Sequence, residues 1–227
     1  MKLNILIPVR NREKQLELIL KNLIKIFEKQ NIKYNFYIIY QDNNELFNKG
    51  YLLNIGFLYA LNNNFSNNYL FNDVDIYPLN SDIINYGIEL KDDDIYHPYG
   101  HKGCIGGFFL INKKTYIKLN GFSNDYKGWG CEDCDLLGRC NLKNINVNRE
   151  IFYERYNNNF YDHKESYKVR INKCNISNTT TKLIFKFKWN NSILKRKLIV
   201  NNDGLNQLNI NFIKKIKKDD NITYIYV

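Results

Sequence analysis

Between Leu3 and Asn72 three β-rich runs alternate with two stretches of helical period, and this order constrains the fold more than any single motif. Leu3 to Ile7 is an apolar run but for Asn4, as expected of a strand covered on both faces of its sheet. Pro8-Val9-Arg10-Asn11-Arg12 turns out of it, with Asn11 expected to cap the next helix. Leu16, Ile19, Leu20, Leu23, Ile24 and Phe27 then recur at helical spacing up to Gln30. Phe36 to Tyr40 reads as a second strand, Leu52 to Leu61 as a second helix, and Tyr69 to Asn72 as a third strand. A β-α-β-α-β order predicts an α/β fold with a mixed, mostly parallel sheet and helices on both faces. Ligands of such sheets sit beyond the carboxyl ends of the strands. Those ends carry Arg10 and Arg12, then Asp42 to Asn48, then Asp73 and Asp75, so one polar rim is expected.

The later chain is less regular. Gly106 to Ile111 reads as a strand starting on two glycines, and Lys113 to Leu119 as a short helix. Asn120 to Asp135 is a loop by turn chemistry that runs into a helix N-terminus carrying Glu132, Asp133 and Asp135. Trp129 lies in it between Gly128 and Gly130, where the backbone is free enough for the indole to swing over a ligand. Phe152 to Val169 shows no clear period. Lys182 to Leu198 reads as a basic helix, although Phe185, Phe187 and Trp189 alternate as a strand would. Leu208 to Ile216 and Ile222 to Val227 read as two closing strands. No linker-like segment occurs, so a core over 1–172 and a basic helix/strand extension over 173–227 are expected to pack as one domain.

With 44% apolar and 25% charged residues the chain can bury a core and is not of disordered type. The net charge of +10 fits nucleic acid, an anionic membrane or phosphorylated small molecules as partners. Much of the excess is late in the chain and reads as a solvated lysine-rich face. No stretch approaches the ~20 apolar residues of a membrane span, and no signal-peptide pattern opens the sequence. Five cysteines without small-scaffold spacing fit a reducing compartment, so a cytoplasmic location is expected.

Four constellations carry chemistry. Asp73 and Asp75, two residues apart, would point the same way on extended chain and offer two oxygens to a hard divalent cation that neutralises a diphosphate; the bland alternative is an Asx-type turn. His163 would shift such a site from magnesium toward manganese. Arg10 and Arg12 suit phosphate oxygens or a stacked base, or are simply solvated. Glu132 and Asp133 suit a general base and a positioning group, or are ordinary helix N-terminal acids. A rival centre is Cys131-x-x-Cys134, as a redox pair or as zinc ligands with Cys140 and His163, although the neighbouring acids disfavour a reactive thiolate.

Read together, the blocks IPVRNR from Ile7, FNKGYLLNIGFLYAL from Phe47, FNDVDIYP from Phe71, IGGFFLINKKTYIKLNGFSNDYKGWGCED from Ile105 and DGLNQL from Asp203 resemble the β-1,4-galactosyltransferase family, in that family's order. The resemblance implies a glycosyltransferase type-A, Rossmann-like fold, a UDP-sugar donor, manganese, and transfer with inversion to a glycan or glycosylated protein. It matches Pro8, Arg10 and Arg12 to donor-nucleotide residues, Phe47 to an aromatic beside the uridine, and Asp73 to a donor contact. It matches Asp75 and His163 to the metal ligands, and Trp129 with Gly130 to the segment whose indole closes on the donor. Glu132 and Asp133 match the acid pair, with Asp133 as base.

Four positions depart from the pattern. Phe160 stands for a metal-binding methionine and cannot ligate, which leaves Asp162 or water as third ligand. Cys131 replaces a glycine, Cys134 replaces an acid, and Cys104 replaces a tyrosine at the position that sets galactose against N-acetylgalactosamine. Nucleic acid is not an expected partner. The alternative function is a catalytically inactive glycan or nucleotide-sugar binder of the same fold.

Overall fold

The computed structural model describes residues 2–63, 66–162 and 179–227. The expected alternation is present: β1 (Lys2–Val9), α1 (Glu13–Lys29), β2 (Lys33–Tyr40), α2 (Lys49–Asn63) and β3 (Asn68–Asn72). β1 lies between β2 and β3 and is parallel to both. Leu3, Ile5, Ile7 and Val9 of β1 join the core on the α1 side, and Leu6 joins the core on the α2 side. That two-sided burial is why the strand, Asn4 apart, is apolar without alternation.

Beyond β3 come β4 (Ile76–Pro78), β5 (Asp94–Gly100), β6 (Phe108–Asn112), α3 (Lys113–Lys118), α4 (Glu132–Lys143), β7 (Asn146–Asn148), β8 (Tyr153–Glu154) and β9 (Phe160–Asp162). β6 runs antiparallel to β3, and β5 antiparallel to β6. The start of β6 therefore lies at the same sheet edge as the end of β3. β4 and β9 form a separate antiparallel ribbon that pairs Ile76 with Asp162. Helix α5 covers residues 179–189, followed by α6 (Ile193–Asn201), β10 (Lys215–Asp219) and β11 (Ile222–Tyr226). β11 pairs in parallel with β2, so the end of the chain belongs to the central sheet. The main sheet runs β10-β11-β2-β1-β3-β6-β5-β7, with β8 on β5.

Several sequence expectations are corrected. Asn11 does not cap α1: it turns the chain with φ 53°, and Arg12 stands at the cap without a side-chain hydrogen bond. The basic stretch is two helices rather than one, because Ser192 starts a second helix by accepting from the Lys195 N–H at 3.4 Å. Residues 208–216 are not a strand throughout. Two short 3-10 turns, Leu205–Gln207 and Ile210–Phe212, precede β10, the second capped by Asn209. Asp73 to Asp75 is a turn and not extended chain, with the Ile76 N–H donating to the Asp73 carbonyl at 3.3 Å. The argument that residues two apart point the same way therefore does not hold there. The Asn72 amide holds that turn, donating at 2.8 Å to the carbonyls of both Asp73 and Ile76.

Candidate active site

The rim beyond the sheet is assembled around Lys49, the first residue of α2. Asn48 caps that helix, its side chain accepting from the Tyr51 N–H at 3.0 Å while its amide donates to the Asn124 carbonyl at 2.7 Å. The helix start is thus tied to the loop ahead of α4. Lys49 Nζ lies 2.7 Å from Asp133 Oδ1, 3.0 Å from Glu132 Oε1 and 3.5 Å from Asp73 Oδ1. Burial and the neighbouring carboxylates of Glu132 and Asp73 push the Asp133 carboxyl well above the usual range, while the Lys49 ammonium opposes that shift. Burial works against the Lys49 charge, but Asp133, Asp73 and Glu132 together hold its ammonium well above the usual range.

Two glycines fix where the carboxylates stand. The Ile105 N–H donates to the Asp133 carbonyl at 3.0 Å, and the Asp73 N–H to the Gly107 carbonyl at 2.9 Å. A Cβ at Gly106 would overlap the Asp133 carboxylate, so that acid needs glycine opposite it. The Gly106 carbonyl accepts from His97 Nε2 at 2.8 Å, and His97 Nδ1 accepts from Arg149 Nε at 2.9 Å. These partners fix the neutral imidazole with its proton on Nε2. Burial, with Arg149 adding to it, depresses His97 to about 4.

α4 presents Glu132 and Asp133 in its first turn, where the helix dipole favours acids. Its cap, Cys131, takes φ 73°, a left-handed conformation that favours glycine. Asp135 in the same turn is structural. It accepts from Arg139 Nε at 2.7 Å, Trp189 Nε1 at 2.8 Å and Tyr126 OH at 3.1 Å. Arg139 also bonds Asp203, which Lys188 meets from the other side, so the DGLNQL block anchors the α4 helix.

On the nucleotide side of the expected site, Arg10 stacks over the Phe47 ring at 5.5 Å and donates to the Glu45 carbonyl. Phe47 in turn accepts at its carbonyl from the Gly128 N–H at 2.8 Å, which seats the loop of Trp129 and Gly130. Pro8 is buried at the end of β1, and Arg12 is half-buried at the start of α1. Asp75 is half-buried at the end of the turn leading into β4. His163 lies outside the described residues, as does the segment that follows it.

The departures have structural consequences. Phe160 is buried against Tyr99 and Tyr153, at ring distances of 4.2 and 5.2 Å. Asp162 is engaged by Tyr99 OH at 2.8 Å and by Arg155 Nε at 3.0 Å. The zinc reading of Cys131 and Cys134 gains no support. Cys140 is buried in the core, the Cys134 thiol faces Cys104, and no cluster of three ligand-type side chains able to hold a metal occurs among the described residues. The carboxylates beside the expected metal position are already met by a cation of the chain itself. One ammonium stands among three carboxylates, and Glu132 Oε2 is buried with no hydrogen-bond partner.

Sequence reasoning missed Lys49, Gly106 as a steric partner of Asp133, and His97. Lys49 did carry a signal, since a cation in the first turn of a helix opposes the dipole unless anions surround it.

Two adjoining family profiles match this chain. The first, described as the N-terminal region of glycosyl transferase group 7, covers residues 1–87, and the second, described as the N-terminal domain of galactosyltransferase, covers residues 86–164. Human beta-1,4-galactosyltransferase 4 is 35% identical over 154 residues, which are 65% of this chain and 44% of that protein. Mouse beta-1,4-galactosyltransferase 2 is 31% identical over 214 residues, 88% of this chain and 56% of that protein. The chain spans about half the length of these curated relatives. Among solved structures, the catalytic domain of Drosophila β1,4-galactosyltransferase 7 in complex with xylobiose shares the fold, with a TM-score of 0.75 at 22% identity over 99% of this chain and 92% of that one. A mutant of the same enzyme in complex with manganese, UDP-Gal and xylobiose gives a TM-score of 0.73 at 21% identity, over the same shares of the two chains.

Proposed function

Since this chain belongs to the β-1,4-galactosyltransferase family, we propose that it is an inverting, manganese-dependent glycosyltransferase. It moves a hexose or N-acetylhexosamine, with galactose or N-acetylgalactosamine favoured, from a UDP-sugar to a sugar hydroxyl of a glycan or glycosylated protein. The observation that carries this reading is the half-buried cluster of Asp73, Glu132 and Asp133 around Lys49 at the carboxyl edge of the sheet. Carboxylates gathered there suit acid–base work on a substrate held beyond the strands.

In this mechanism Asp133 takes the proton from the acceptor hydroxyl as that oxygen attacks the anomeric carbon. Its raised affinity for a proton, a consequence of burial beside Glu132 and Asp73, suits a base of this kind. Glu132 shares Lys49 with Asp133 and holds the pair in register. Arg10 and Phe47 form the cation–π pair that holds the nucleotide, with Pro8 and Arg12 beside them and Asp73 on the donor. Trp129 and Gly130 close over it from the loop that Phe47 anchors. Asp75 and His163 would hold the metal, which when bound supplies positive charge to the departing diphosphate. Ile76 and Asp162, the chain neighbours of those two residues, are paired across the β4–β9 ribbon, which supports their convergence. The four described cysteines are free thiols, in keeping with a reducing, cytoplasm-like compartment. No helix among the described residues is long and apolar enough to cross a membrane.

The experiment is a panel of UDP-sugars with manganese, scored by release of UDP and by loss of that release on chelation. No release with any donor, although UDP-sugar still binds, would favour the second reading, an inactive nucleotide-sugar binder. The tight pairing of Asp133 with Lys49 is the observation on its side.

A further inference from the structure

Helices α5 and α6 carry charge and apolar surface that the transferase reading does not use. From residue 179 to residue 201 the chain has six cations (Lys182, Lys186, Lys188, Lys195, Arg196 and Lys197) and no acid. Lys188 is buried and turned inward to Ser123 and Asp203, and Arg196 is half-buried with its Nε covered, which leaves Lys182, Lys186, Lys195 and Lys197 outward. Trp189 and Val200 also face the body of the protein, Trp189 donating to Asp135 and Val200 being 2% exposed. The helix pair is therefore held firmly by one side. Its other side presents Leu183, Phe187, Ile193, Leu194 and Leu198, each more than half exposed, with Leu194 at 80%. Leu183 and Phe187 are four residues apart on α5, as are Leu194 and Leu198 on α6, so each pair shares a helix face. Lys195 Nζ lies 6.0 Å from the Phe187 ring, which joins the two helices into one mixed surface.

We propose that this surface binds anionic lipid bilayers, with α5 and α6 lying in the interface plane. Exposed leucines and a phenylalanine among lysines make the mixed surface of the helix pair, rather than one amphipathic helix, suited to the interface: the apolar side chains enter the acyl boundary while the long cationic stems reach the headgroups. The absence of acids over the whole segment gives the charge complementarity. A protein partner fits less well, because protein interfaces are depleted in lysine. Nucleic acid fits less well, because phosphates do not cover bare leucines. The inference does not rest on the transferase reading, since it concerns binding alone.

Vesicle co-sedimentation of the full chain tests it. Vesicles of phosphatidylcholine with phosphatidylglycerol should pellet the protein, and phosphatidylcholine alone should not. Binding should fall about fivefold for each basic residue removed. Lys195→Gln with Lys197→Gln should therefore weaken it by more than about tenfold. Leu194→Ser with Leu198→Ser should also abolish it, and because both leucines are exposed the melting temperature should hold. Equal pelleting with neutral vesicles, or none with anionic ones, overturns the proposal. So does concentration-dependent dimerisation in light scattering that Leu194→Ser removes, since the occupant is then a second copy of the chain.

Discussion

Lys49 Nζ lies 2.7 Å from Asp133 Oδ1, although 84 positions of sequence separate the two residues. The ammonium also touches Glu132 and Asp73, so a single cation, its side chain 12% exposed, holds together three acids from two distant segments. Lys49→Met leaves that cluster without its counter-charge. The protein should lose about 3–5 kcal/mol of stability, the usual result of removing one partner of a buried ion pair. Urea unfolding at neutral pH measures it. A loss below about 1 kcal/mol, as for a surface pair, would mean that Lys49 is dispensable to the fold.

Asp133→Asn should abolish transfer while UDP-sugar binding persists. The amide preserves the side-chain shape but cannot accept the acceptor proton, a function that contributes typically ~100- to 10,000-fold. Isothermal titration with donor, run beside the UDP-release assay, separates the two effects. Near wild-type release in this variant removes Asp133 from the base role.

The same carboxyl sets a pH dependence. Burial and the charges of Glu132 and Asp73 raise its proton affinity, and a base works only when deprotonated. The rate should therefore drop as pH falls through a limb lying above the ordinary aspartate value of about 3.9. Lys49→Arg keeps the opposing charge and should leave that limb near its place. A pH–rate profile flat down to about pH 4 would contradict the assignment.

Gly106→Ala should cut turnover with little loss of donor affinity. The added methyl overlaps the Asp133 carboxylate and must displace it, whereas Arg10 and Phe47 on the nucleotide side remain untouched. A raised Kd for donor with unchanged turnover would show that the glycine serves the nucleotide instead.

His97 makes stability depend on pH independently of catalysis. In the folded chain it stays neutral down to about 4, held there by burial and by Arg149, against about 6.5 when unfolded. A depressed pKa of this kind contributes stability that is complete above about 6.5 and is lost as pH falls toward about 4. The loss should reach about 3 kcal/mol, from 1.36 kcal/mol per pKa unit. His97→Gln should remove this component from the pH series of unfolding free energies. An identical pH slope in both proteins would refute it.

Cys131→Gly should stabilise the protein by about 1 kcal/mol, since φ 73° strains any residue with a Cβ. Thermal melting checks this, and a lower melting temperature would mean that the thiol makes a contact worth more than the strain.

Much of this fold was legible in the primary order because strand and helix periods are local. The mostly apolar, non-alternating β1 announced a two-sided sheet, and the acids of α4 marked a helix start. Local patterning was weaker where tertiary contacts decide conformation. Phe187 and Trp189 alternate as a strand would, yet α5 is helical, with Trp189 seated against Asp135. Asp73 and Asp75 looked extended, but the Asn72 side chain bends them into a turn.

By itself, the sequence determined the order of the first five elements, which of their faces are apolar, and which strand ends carry charge, because each follows from spacing along the chain. Only the tertiary structure decided which charges meet. Asp133 could be named from its motif, but neither its raised proton affinity nor its pairing with Lys49 could be. Both depend on distance in space and on exclusion of water, and no reading of neighbours along the chain contains those quantities.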